Sequence, residues 1–317
     1  MMHKRLFLFS LLLLFGCTDD PGQPGSEARP VPATDAGALL AHVSRLADDS
    51  MLGRGSGTPN ERRAALYIAA QFAGAGLQGA NLAQFPVPPA RVGGQTEVAS
   101  QNVLGVLPGT GRLQNEFIVV GAHYDHVGVR NVLGSPAVFN GADDNASGTA
   151  VVLELARLLA NHVATGGFGD ADRRSVLFIA FGAEELGLIG SEHYCATPQF
   201  PMMSVAAMLN FDMVGRLRNR TLAVGGMGTA SEWPALLAQQ NTEQLVLQSN
   251  DCDACTDYAC FRRAGRPALW FFTGFHSEYH QPGDDTNLID AAGLSDVADL
   301  AARVVADLML REQGLRP

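Results

Sequence analysis

Five short segments carry side chains that could do chemistry together. His123-Tyr124-Asp125-His126 places two imidazoles around a carboxylate, and Gly141-Ala142-Asp143-Asp144-Asn145-Ala146-Ser147-Gly148 places two acids in a turn of small residues. Glu184-Glu185 is an adjacent acid pair, Asp212 stands in Asn210-Phe211-Asp212-Met213-Val214-Gly215, and His280 stands in Tyr279-His280-Gln281-Pro282-Gly283-Asp284. Imidazole and carboxylate are the donors that zinc and similar ions accept. A carboxylate with both oxygens free can bridge two ions, and an acid beside them that is not a ligand can carry a proton. Asp144, just before a helix, could instead cap it. A lone His or Asp after a strand is ordinarily a loop residue, so the weight lies in the coincidence of several.

The elements that must position these groups follow from periodicity. Phe117–Ala122 is a short β-branched run that ends directly at His123, Val176–Phe181 is an apolar run just before the acid pair, and Val205–Phe211 ends at Asp212. Leu222–Val224, Leu245–Leu247 and Ala268–Phe272 read as further strands, the last leading to the His280 loop. Asn60–Leu77, Ser147–His162 and Ala291–Arg311 have helical spacing. Strands alternating with helices predict an α/β fold, a three-layer α/β/α sandwich with a mixed, largely parallel central sheet. Ligands of such sheets bind beyond the carboxyl ends of the strands, where His123, the acid pair and Asp212 all fall. No internal repeat or composition break follows residue 35, so residues 36–317 are expected to form one catalytic domain.

Composition excludes some functions. The 317 residues carry 22 basic and 32 acidic side chains, a net charge of −10, and lack a basic footprint for nucleic acid. No apolar stretch reaches the roughly 18 residues of a spanning helix. Lys4 and Arg5 precede the apolar run Leu6–Phe15, which makes residues 1–16 a secretory signal peptide. Leu14-Phe15-Gly16-Cys17 resembles a bacterial lipobox, so a lipid on Cys17 is expected to attach the protein to the cell envelope, with simple secretion as the alternative. Residues 17–35, rich in Pro and Gly, read as a flexible tether. Disulfides persist in an exported protein; Cys195, Cys252, Cys255 and Cys260 then allow three pairings, which spacing leaves open.

In order and flanking residues, His123, Asp144, Glu184-Glu185, Asp212 and His280 resemble the di-zinc aminopeptidases that include bacterial leucyl aminopeptidase, aminopeptidase S and aminopeptidase Y. The resemblance runs from about Ala36 to the C-terminus. It implies two Zn2+ per chain, with cobalt or manganese as substitutes, and removal of the N-terminal residue from peptides with a free N-terminus. By the same resemblance Asp144 bridges, because Asn-Ala-Ser-Gly fixes the register and leaves Asp143 one place early. Glu185 and His280 complete one site and His123 and Asp212 the other. Asp125 stands behind His123, and Glu184 is the general base for a water shared by the ions. The resemblance also favours the pair Cys252–Cys255, leaving Cys195–Cys260. Where such enzymes often read Ser-Asp-His this chain reads Thr256-Asp257-Tyr258, which makes Asp257 a candidate supporting acid and leaves Tyr258 to touch substrate or to pack. His126 and His193 are expected to be hydrogen-bonded structural residues, and Phe271, Phe272 and Phe275 either pack in the core or line an apolar pocket. The competing readings are a glutaminyl-cyclase-like acyltransferase, a carboxypeptidase or dipeptidase of the same fold, and a metal-free scaffold. A scaffold would have lost a ligand or the base, and none is missing. Oligomeric state is not given by the sequence.

Overall fold

The computed structural model describes residues 27–94 and 96–316. The expected signal peptide and Cys17 lie outside the described residues, as does most of the expected tether. Its last residues are held on the body: Arg29 N donates to Gly167 O at 2.7 Å, Val31 packs against the core and Thr34 N donates to Asp299 Oδ1 at 2.6 Å.

The strands are β1 (Gln78–Val87), β2 (Val98–Leu107), β3 (Phe117–His123), β4 (Gly128–Val132), β5 (Ser135–Phe139), β6 (Ser175–Phe181), β7 (Val205–Phe211), β8 (Thr221–Gly225), β9 (Val246–Ser249) and β10 (Ala268–Phe272). The helices are α1 (Ala36–Leu46), α2 (Pro59–Gly74), the single turn α3 (Pro89–Val92), α4 (Gly148–Ala164), α5 (Ile189–Ala196), α6 (Trp233–Gln240), α7 (Tyr258–Arg263) and α8 (Ala291–Leu310). Eight strands form one sheet in the order β1-β2-β6-β3-β7-β10-β8-β9, and β4 with β5 forms a separate hairpin. The four central strands β6, β3, β7 and β10 are mutually parallel, whereas β1, β2 and β8 run against their inner neighbours.

Alternation along β3 shows why two helical layers are needed. Ile118, Val120 and Ala122 face a core shared with α1, α2, α4, α6 and α8, while Phe117 and Val119 face a second core shared with α5 and α7. Each fully buried Leu, Ile, Val or Phe contributes about 1.5–3 kcal/mol, so both faces must be covered. The expected α/β/α sandwich is the observed one.

Cys195–Cys260 ties α5 to α7, and Cys252–Cys255 closes a small loop just before α7. This is the expected pairing. Among the described residues no helix is long and apolar enough to cross a membrane.

The sequence reading did not mark β1, β2 or the hairpin as strands. In β2 the reason is chemical, because Ser100, Gln101 and Asn102 are buried polar residues in a strand that would otherwise look apolar. Each is matched: Ser100 Oγ donates to Glu61 Oε1, Gln101 Nε2 to the Tyr124 hydroxyl at 2.7 Å and Asn102 Nδ2 to Gly190 O at 2.8 Å. Buried polar groups are tolerated when so satisfied, and they erase the apolar signature.

Candidate metal centre

The turn before α4 sorts its polar side chains by direction. Asn145 Oδ1 accepts from Gly148 N at 2.9 Å and from Met213 N at 3.2 Å, while its Nδ2 donates to Phe211 O at 2.9 Å. Ser147 Oγ accepts from Val214 N at 3.0 Å, and Asp143 Oδ1 accepts from Gly215 N at 2.7 Å. Three side chains of the motif thus staple the turn to the residues leaving β7. Gly148 is required there, since a Cβ would lie 2.3 Å from Phe211 O. Asp144 is left to face the cleft, and its backbone N, with that of Asp143, donates to the Asp284 carboxylate at 3.0 Å. That bond fixes the His280 loop beside the turn.

A second set of contacts aligns the β3 end. Asp125 accepts from Ser56 Oγ at 2.6 Å, Glu184 N at 3.1 Å and Glu185 N at 3.3 Å. With three donors on it, its carboxylate stands 3.7 Å from His123 Nδ1, and the nearer acceptor for that nitrogen is the Asp125 main-chain oxygen at 3.2 Å. Either contact leaves His123 Nε2 free to face Asp144 and Asp212. Arg54, fully buried, donates to the carbonyl oxygens of Leu46, Tyr124, Asn140 and Gly141 at 2.7–2.9 Å. It therefore joins the loop that carries His123 to the turn that carries Asp144.

The expected ligands converge in two groups that share one residue. His123, Asp144 and Asp212 form one, and Asp144, Glu185 and His280, joined by His126, form the other. His123 Nε2 lies 3.4 Å from Asp144 Oδ1 and 3.4 Å from Asp212 Oδ1, whereas His280 Nε2 lies 3.0 Å from Asp144 Oδ2 and 3.1 Å from Glu185 Oε2. Two donors about 2.0–2.1 Å from a tetrahedral ion stand about 3.3 Å apart, so these spacings suit coordination. Asp144 Oδ2 is also buried without a hydrogen-bond partner among the described residues. Two lone pairs aimed at one cation stand at such distances. The residues present fit two cations, one for each oxygen of Asp144.

Charge follows the same pattern. Burial opposes a proton on His123, yet Glu184 and Asp212 raise its pKa well above the ordinary value; burial likewise opposes a charge on His280, which Asp144 and Glu185 bring up to about 9. Burial pushes the Glu184 carboxyl well above the usual range, with Asp257, Asp212 and Glu185 adding to it against His123. Asp257 is raised to about 7, by burial first, and both of its oxygens lack hydrogen-bond partners among the described residues. Arg54 is lowered to about 10 by burial, against the pull of Asp144 and Asp125.

A cavity of about 340 Å³ opens beside the donors, with Glu184 on its wall. Trp270, Phe272, Phe275 and Tyr279 form its apolar side, and the Tyr279 ring stacks on His280 at 3.9 Å. The three phenylalanines divide: Phe272 and Phe275 line the cavity, whereas Phe271 is buried in the opposite core, stacked on Phe211 at 5.1 Å. Tyr258 is fully buried and packs beside Trp270. His193 stacks on Phe85 at 5.3 Å, away from the donors. His126, expected with His193 to be a hydrogen-bonded structural residue, bonds through Nδ1 to Glu185 Oε1 at 2.8 Å and so lies within the donor cluster. Sequence reasoning also passed over Arg54, Ser56 and Asp284. The signals were a single Arg among the glycines of Gly53–Gly57 and an acid closing the His280 turn.

The sequence model of peptidase family M28 matches residues 102–305, which include every donor of both groups. The chain belongs to peptidase family M28. Aminopeptidase YwaD of Bacillus subtilis strain 168 is 29% identical over 229 residues, 69% of this chain and 47% of that protein. A probable leucine aminopeptidase of Arthroderma otae is 26% identical over 213 residues, 65% of this chain and 57% of that protein. The matches thus span about half the length of these relatives. The solved structure of BSAP, a zinc aminopeptidase from Bacillus subtilis, superposes with a TM-score of 0.72 at 20% identity, covering 90% of this chain and 98% of that one. Porphyromonas gingivalis glutaminyl cyclase gives 0.69 at 18% identity, covering 87% and 99%. At such identities these likenesses establish the shared fold.

In this M28 chain the two adjacent acids of the turn should separate cleanly. Asp144→Asn is expected to lower metal content at both groups, whereas Asp143→Asn should retain metal and lower the melting temperature by loosening the staple to Gly215. Metal analysis of dialysed protein with thermal unfolding checks this, and equal metal loss from both variants would contradict the geometry.

Proposed function

We propose that this M28 chain is a di-zinc aminopeptidase that removes the N-terminal residue of peptides. The observation that carries the reading is that Asp144 turns Oδ1 to His123 and Oδ2 to His280, which is the arrangement of a carboxylate shared by two ions. One ion would be held by Asp144, Glu185 and His280, the other by Asp144, His123 and Asp212, and cobalt or manganese suits the same donors. When bound, two such cations would supply polarisation of a scissile carbonyl and activation of a water.

The chain's own residues supply the remainder. Glu184 lies on the cavity wall outside both donor groups, and burial makes its carboxylate a stronger base than an ordinary one. It is suited to take the proton of the attacking water and return it to the leaving amine. Asp125, braced by Ser56 and the Glu184 and Glu185 amides, and the main chain beside it keep His123 Nε2 turned to the centre. The aromatic wall of Trp270, Phe272, Phe275 and Tyr279 offers an apolar surface beside the acids, suited to an apolar side chain of the substrate. Carboxylates beyond the number that the ions neutralise attract an α-ammonium. Export by residues 1–16 and lipid attachment at Cys17 belong to the same reading, and the two disulfides support an oxidising location.

Glu184→Gln should keep both ions and lose about 10²–10⁴-fold in rate. Loss of metal from that variant would make Glu184 a ligand instead. N-acetylation removes the positive end of a substrate and leaves the scissile amide intact. A leucyl or other apolar aminoacyl anilide with a free amine should therefore be cleaved, and its N-acetyl counterpart should not. Equal cleavage of the pair would overturn the aminopeptidase reading in favour of another peptidase of this fold, and cyclisation of N-terminal Gln without hydrolysis would favour an acyltransferase.

A further inference from the structure

His126 is an imidazole inside the donor cluster that the ligand scheme above does not use. Its ring is fully buried, and its Nδ1 lies 2.8 Å from Glu185 Oε1 but 3.6 Å from Asp144 Oδ2. The first distance is that of a charge-assisted hydrogen bond and shorter than the roughly 3.3 Å edge between two donors on one ion. The other contacts of the residue fix its position without occupying Nδ1. His126 N donates to Arg54 O at 3.3 Å, residue 126 forms a bridge with Gly55, and the ring lies against Gly141, where any Cβ would come within 2.5 Å of Cγ and Cδ2. Gly141 has φ +58° and is glycine on both counts. Nε2 is buried and has no partner among the described residues, so the one side-chain hydrogen bond of His126 there is the bond to Glu185.

We propose that His126 is a positioning residue for the His280 side of the centre: through Nδ1–H it holds Glu185 Oε1 and thereby makes Glu185 a ligand through Oε2 alone. Resting on the two-ion reading, this assigns the ring a task that its sequence context does not show. A carboxylate free to turn can grip an ion with both oxygens and fill a coordination position. With Oε1 bonded to His126, Glu185 presents Oε2 beside His280 Nε2 at 3.1 Å, and the position that Oε1 would take stays open to substrate. Partners of this kind orient metal ligands and commonly set affinity by about 10–100-fold.

The test measures zinc affinity rather than turnover. Wild type, His126→Asn and His126→Leu are freed of metal and titrated with zinc against a chromophoric chelator. An Asn amide nitrogen falls close to the place of Nδ1 and keeps the donor, whereas Leu fills the space without one. We expect two ions on wild type, one of them bound about 10–100-fold more weakly in His126→Leu, and recovery to within a few fold in His126→Asn. Unchanged affinity at both sites in His126→Leu would overturn the proposal, and so would equal loss in the two variants, which would make the imidazole itself a ligand. Nitrogen-edited NMR of zinc-loaded wild type reads the same point without a variant: a slowly exchanging proton on Nδ1 of His126 is expected, and a ring without it overturns the assignment. Fewer than two ions on wild type would remove the two-ion reading itself, an outcome distinct from both.

Discussion

The structure depends on gathering more negative charge than its own cations balance. Asp125, Asp144, Glu184, Glu185, Asp212 and Asp257 meet at the carboxyl edge of the central parallel strands, where Arg54 is the buried guanidinium. Two unit charges 4 Å apart interact by about 4 kcal/mol at an effective dielectric of about 20, so such a cluster is unstable unless protons or metal ions compensate. In the protein alone, protons favoured on His123, His280 and Glu184 supply part of that compensation. Cations bound there would displace those protons.

Holding the acids in place falls to hydrogen bonds with the main chain and with polar side chains rather than to ion pairs with the acids themselves. Arg54 spends its hydrogen bonds on four carbonyl groups and so clamps two loops together without neutralising any one ligand. Backbone amides do the same for Asp125 and Asp284, and the side chains of Asp143, Asn145 and Ser147 bind the turn to the end of β7. Asp144, His123, Glu185 and His280 thus have their positions fixed from behind while their metal-facing atoms stay free. Preorganisation of this kind keeps binding energy for the ions.

The parallel centre of the sheet was legible because β3, β6, β7 and β10 are largely buried on both faces and read as mostly apolar runs. The candidate donors were legible because each follows such a run or sits in a turn with a fixed register. β2 was hidden by polar residues whose partners lie 23 to 88 positions away. Arg54 was hidden for a related reason, since only the folded chain brings the carbonyl groups of Tyr124 and Gly141 to it. His126 and Glu185 are 59 positions apart, and nothing local to either segment announces their contact. Local pattern therefore picked out the candidate donors, and tertiary contact revealed what holds them in place.

The central claim is that one carboxylate, Asp144, divides its two oxygens between two ions. The most direct measurement is an anomalous difference map at the zinc absorption edge from crystals grown with zinc. The account predicts two peaks about 3.5–4 Å apart, one beside Oδ1 with His123 and Asp212 and the other beside Oδ2 with Glu185 and His280. A single peak, or two peaks of which either lies away from Asp144, would contradict it.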